Sequence, residues 1–159
     1  MTTTVIVGNP KPRSRTYATA VEVAKRLTGS DPDLVIDLAD HGPALFDWSD
    51  EVIKDLVSQV ASSELLIVAT PTYKATYTGL LKLFLDRFSA GQLAATVAIP
   101  LQIGGDWRHS LAPEVHLKPV LAELGASTPT RALYLLDSEL LESDAFRDWL
   151  ETARMQLDR

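Results

Sequence analysis

A chain of 159 residues, 46% hydrophobic and 23% charged, is long enough to bury a core without metal or disulfide staples. Its net charge of −6 argues against general affinity for nucleic acid or an anionic membrane, so any anion site must be local. With no cysteine there are no disulfides, thiolate metal sites or cysteine nucleophiles.

No apolar run approaches the roughly 20 residues of a membrane span, and the start carries no leader-like pattern, so the chain is expected to be cytoplasmic. Along the chain two patterns alternate. Strand-length, mostly apolar runs occupy Thr4–Gly8, Leu34–Leu38, Leu65–Ala69, Ala95–Leu101 and Ala132–Leu136. Helical spacing separates them. Tyr17, Val21, Ala24 and Leu27 share one face, as do Val52, Leu56 and Val60, and then Leu81, Phe84, Leu85 and Phe88. A fourth helical segment, His109–Leu124, contains Pro119, which should bend or break it. The last carries Phe146, Trp149, Leu150, Ala153 and Leu157.

Five strand–helix units predict an α/β three-layer sandwich in one domain, 1–159, with a five-stranded parallel sheet of order 2-1-3-4-5. In such a sheet ligands bind beyond the carboxyl ends of the strands, where the order reverses, here between the first and third. Two unusual loops fall there. The first, Gly8 to Thr16, puts Lys11, Arg13 and Arg15 within five positions and supplies the Ser14 and Thr16 hydroxyls where a helix begins. Helix-end amides, hydroxyls and guanidinium together suit a phosphate. An N-cap followed by solvated basic residues fits the same letters. A dinucleotide fingerprint and a triphosphate loop are both absent, so the ligand should carry one terminal phosphate.

The second loop, Thr70 to Gly79, offers Tyr73 and Tyr77 as flat surfaces and Lys74 as a positive charge. A flavin ring needs such stacking surface and positive potential. A third loop, Leu101 to His109, contains Gly104 and Gly105, which permit close backbone approach.

The run P-T-Y-K-A-T-Y-T-G-L-L-K-L-F-L-D (71–86), with the other two loops, resembles the NADPH-dependent FMN reductases, whose fold is flavodoxin-like. The segment from Gly104 to Leu121 resembles the branch that supplies reduced flavin to two-component monooxygenases. The resemblance implies that Ser14, Arg15 and Thr16 hold the FMN phosphate with Arg13 close by, and that Pro71, Thr72, Tyr73 and Lys74 line the ring. It places Gly104 and Gly105 at the ring's other edge. It also implies a homodimer or homotetramer packed through the helices after strands three and four. Asn9 departs from the Gly-Ser start usual in the family, at a position expected to contact the cofactor.

Hydride transfer from nicotinamide C4 of NADPH or NADH to flavin N5 needs no acid or base from the protein. The catalytic residues are therefore none, with an electrostatic role for Lys74. Reduced flavin would leave for a monooxygenase. The alternatives are an FMN-retaining reductase of quinones, azo dyes or chromate, and a non-enzymatic flavodoxin-like electron carrier. His41 and His109 are isolated, so no metal site is expected. His116 is a candidate for a bulky side chain inserted into the fourth helix. Trp48, Trp107 and Trp149 read as packing residues, and the acidic stretches Asp47–Glu51 and Asp137–Asp144 as solvated helix starts.

Overall fold

The computed structural model describes residues 1–157. Strands β1 (Thr3–Val7), β2 (Leu34–Asp37), β3 (Leu65–Pro71), β4 (Val97–Gly104) and β5 (Leu133–Leu136) form one parallel sheet in the order β2-β1-β3-β4-β5, as expected. β3 and β4 run past their apolar stretches to Pro71 and Gly104, which brings their carboxyl ends level: Pro71 registers with Ile103.

Alternation along each strand feeds two cores. Val5, Val7, Leu65 and Ile67 point to the face covered by α1 (Arg15–Thr28) and α5 (Asp144–Leu157). Ile6, Leu66 and Val68 point to the face covered by α2 (Glu51–Ala61), α3 (Gly79–Leu85) and α4 (Lys118–Glu123). Side-chain caps mark the helix starts: Ser14, Asp50 and Thr78 each accept an amide three residues on. Gly29, at φ 82°, closes α1 by donating to the Lys25 carbonyl.

Two helix faces differ from the expected ones. α1 buries Thr16, Thr19, Ala20, Val23, Ala24 and Leu27, leaving Tyr17 and Val21 at the margin. Two threonines on the buried face disguise its phase. α2 buries Ile53, Val57 and Val60, while Val52 is exposed. In α3 Leu81, Phe84 and Leu85 are buried, as is Phe88 just beyond its end. In α5 Phe146, Trp149 and Ala153 are buried, with Leu150 and Leu157 packed partly against them.

The fourth segment breaks where Pro119 predicts. Residues Pro113–Leu117 form a π-turn, in which the Lys118 amide donates to the Pro113 carbonyl five residues back. Pro119 has no amide to continue the α ladder, and the widened turn gives its ring room. His116 lies in this turn and is exposed. Among the described residues no helix is long and apolar enough to cross a membrane.

Candidate functional site

The first loop leaves β1 at Gly8, whose amide donates to the Ala69 carbonyl at 2.8 Å, extending the β1–β3 pairing. Gly8 is required there. A Cβ would stand 2.5 Å from Leu81 Cβ on α3. Asn9 then ties the loop together: its Nδ2 donates to Thr16 Oγ1 at 3.0 Å and its Oδ1 accepts the Lys11 amide at 3.0 Å. Ser14 accepts the Tyr17 amide at 3.2 Å as N-cap of α1. The amides of Arg15 and Thr16, in the first turn, have no intrahelical acceptor. That turn contains no acidic residue, whereas α2 and α5 each begin with one. The first turns of α3 and α4 likewise carry no acidic residue.

The second loop is fastened to the first. Thr78 Oγ donates to the Gly8 carbonyl at 2.5 Å while accepting the Leu81 amide at 3.1 Å. Between Pro71 and Thr78 the chain makes a tight turn, with Tyr73 and Thr76 exchanging backbone hydrogen bonds of 2.9 and 3.4 Å. Lys74 and Ala75 occupy its centre at φ 50° and 80°, the left-handed pair of a type I′ turn. This turn leaves Tyr73 half exposed, at 51%.

The third loop joins them through the sheet. The Thr72 amide and hydroxyl both donate to the Ile103 carbonyl, at 2.7 and 2.9 Å. Buried Gln102 donates to Thr72 Oγ1 at 2.8 Å, and the Asp137 amide donates to the Gly104 carbonyl at 2.9 Å. A Cβ on Gly104 would overlap the Tyr134 hydroxyl and lie 2.8 Å from Thr72 Oγ1; over Gly105 there is open space. Burial pushes the Tyr134 phenol above its ordinary value, keeping it the donor to the Asp106 carbonyl at 2.7 Å.

These loops enclose a crevice of about 300 Å³. Of the predicted site residues, Asn9, Ser14, Arg15, Thr16, Pro71, Thr72, Tyr73, Gly104 and Gly105 line it. Two others stand outside. Arg13, at φ 50°, swings toward the end of β2, where it binds Asp37 at 2.8 Å and Asp40 at 2.7 Å. Those bonds, Asp40 first and Asp37 second, raise its pKa further above the ordinary arginine value. Lys74 sits in the turn beyond Tyr73 and is exposed.

Three lining residues were not foreseen: Lys11, Ile103 and Asp137. Lys11 was visible as part of the basic loop. Ile103 reads as one more strand residue. Asp137 opens an acidic stretch assigned to a solvated helix start, yet it binds Arg15 at 2.6 Å. Asp106, beside the glycine pair, turns outward: the Arg108 amide, and after it the Arg108 side chain, hold its carboxyl below the usual range.

Known proteins resemble this chain in sequence and fold. The chain is 33% identical over 143 residues to an FMN reductase (NADPH) of Escherichia coli K12, covering 86% of this chain and 74% of that one. It is 40% identical over 81 residues to an FMN reductase (NADPH) of Pseudomonas putida KT2440, a match spanning 51% of this chain and 41% of that relative. The crystal structure of an apo NADH:FMN oxidoreductase superposes with a TM-score of 0.87 at 33% identity, over 99% of this chain and 89% of the other. Residues 1–139 match the family described as NADPH-dependent FMN reductase, and the chain belongs to that family.

Proposed function

We propose that this crevice binds FMN and that the protein is an NAD(P)H-dependent FMN reductase. The observation that carries the reading is the meeting of an anion-ready helix end with a tyrosine platform and two bare glycines in one cleft.

The residues present fit the cofactor. Ser14, Thr16 and the first-turn amides of α1 would take the phosphate oxygens, with Arg15 and Lys11 supplying positive charge. Tyr73 and Pro71–Thr72 would support one side of the ring, and Gly104 and Gly105 would let their backbone approach its edge. Arg13 acts indirectly in this reading, holding the loop against Asp37 and Asp40. Lys74 contributes only long-range positive potential.

When bound, FMN would supply the redox chemistry, hydride acceptance from NADPH or NADH and delivery of the electron pair to an acceptor. The chain's residues would orient the flavin ring for its nicotinamide partner. The crevice is open and Arg15 is largely exposed, which suits a flavin that leaves after reduction to serve a separate monooxygenase. Copies would pair through α3 and α4, where a groove lined by Phe88, Pro119, Val120 and Leu124 is flanked by Lys82, Asp86 and Glu123.

The test is direct. The purified protein is titrated with FMN while oxidation of NADPH and of NADH is followed, and light scattering gives the mass of the assembly. A colourless protein whose rate saturates with FMN supports the reading. A yellow protein that turns over only with a quinone or dye moves it to the FMN-retaining class. Arg15→Ala and Tyr73→Ala should each weaken FMN binding by about tenfold, as loss of one charge-assisted contact or one ring contact does. Unchanged affinity in both variants would place the site elsewhere.

A further inference from the structure

Asp137 follows β5 directly, and its amide is fastened to the Gly104 carbonyl. Its carboxylate accepts from Arg15 Nη2 at 2.6 Å, across 122 positions of sequence. The pair is solvent-exposed, with side chains 70% and 37% accessible, so its contribution to folding is small. Its location matters more. Both partners line the crevice, at the end where α1 presents its amides. Among the described residues lining the crevice, Lys11 is then the one cation without a carboxylate partner.

We propose that Asp137 competes with the flavin phosphate for Arg15, and so keeps FMN binding weak enough for the cofactor to exchange. This rests on the FMN reading above and concerns how the same site releases its ligand. A phosphate monoester entering the crevice meets Arg15 already neutralised. It must displace the carboxylate or share the guanidinium with it, and in either case a like charge stays nearby. Because Gly104 anchors the Asp137 backbone, the carboxylate stays within side-chain reach of the crevice. When the phosphate leaves, Asp137 is in position to take Arg15 back, which stabilises the empty site and so weakens binding. A flavin without phosphate has nothing to compete for.

The experiment measures FMN and riboflavin affinity by flavin fluorescence quenching, for the wild type, Asp137→Asn, Arg15→Ala and the double variant. A thermal melt checks that each is folded. Asp137→Asn should tighten FMN binding about threefold to tenfold, the scale of one or two screened surface charge contacts. Riboflavin affinity should change less than twofold. In the Arg15→Ala background the gain from Asp137→Asn should shrink, because the contested group has gone. FMN affinity equal to or weaker than wild type in Asp137→Asn overturns the inference, as does equal tightening of riboflavin. A gain undiminished by Arg15→Ala means simple repulsion and overturns the competition. If the wild type binds no FMN, the functional reading fails and this inference falls with it. If it binds FMN and Asp137→Asn changes nothing, only the inference fails.

Discussion

The Thr78 hydroxyl donates to the Gly8 carbonyl at 2.5 Å, joining two loops 70 residues apart. The same oxygen caps α3 through the Leu81 amide and is buried. Thr78→Val should therefore remove a cap and leave a buried carbonyl without its donor. The expected loss of unfolding free energy is about 2–3 kcal/mol, read from urea denaturation. FMN affinity should fall with it, because the two loops of the proposed FMN site lose their tie.

Gly8→Ala tests the packing at the same junction. Its added methyl would meet Leu81 Cβ at 2.5 Å, too close for a flexible side chain to absorb. Destabilisation of about 1–3 kcal/mol is expected from overpacking, with α3 pushed from β1. Gly8→Ala combined with Leu81→Ala should restore no stability, since the clash involves the Leu81 Cβ that alanine keeps.

The glycine pair separates folding from binding. Gly104→Ala would overlap the Tyr134 hydroxyl and crowd Thr72, so both melting temperature and flavin affinity should drop. Gly105→Ala meets nothing within 4 Å, so its melting temperature should stay near wild type while flavin affinity drops. Unaltered affinity in Gly105→Ala would show that the ring edge lies elsewhere.

Glu114 gives a pH dependence. Burial alone would raise its pKa, but the bonds from Lys118 at 2.6 Å and the Ala132 amide at 2.8 Å override this and hold it below the usual glutamate value. A carboxylate depressed in the folded state stabilises above its unfolded pKa and loses that contribution as pH falls through the folded one. The melting temperature of Glu114→Gln should thus lie below wild type at neutral pH. The two should converge on acidification below the ordinary glutamate range, in thermal melts across that window.

The strand order and the switch-point crevice were readable because alternation, length and punctuation all describe one βα repeat. Side-chain direction within a loop was less so. Lys11, Arg13 and Arg15 look equivalent in the sequence, yet a left-handed φ at Arg13 sends it to Asp37 and Asp40 while Arg15 reaches Asp137. Nothing local to Asp137 distinguishes it from the acids that follow. Its neighbour is set by the sheet, which brings the end of β5 beside Gly104. The phase of α1 was obscured for a related reason. Thr16 and Thr19 sit on its buried face, so hydroxyls occupy positions that an apolar pattern leaves out.

The backbone bonds from Thr72 to Ile103 and from Asp137 to Gly104 have a consequence for how such a protein can change. The carboxyl ends of three strands are stitched to each other without using the Tyr73 or Arg15 side chains. If the crevice binds FMN as proposed, substitution at either position would alter which flavin, donor or acceptor is preferred while the stitching holds its shape. The cleft is thus a fixed frame with interchangeable fittings, and selection on substrate need not disturb the architecture that carries it.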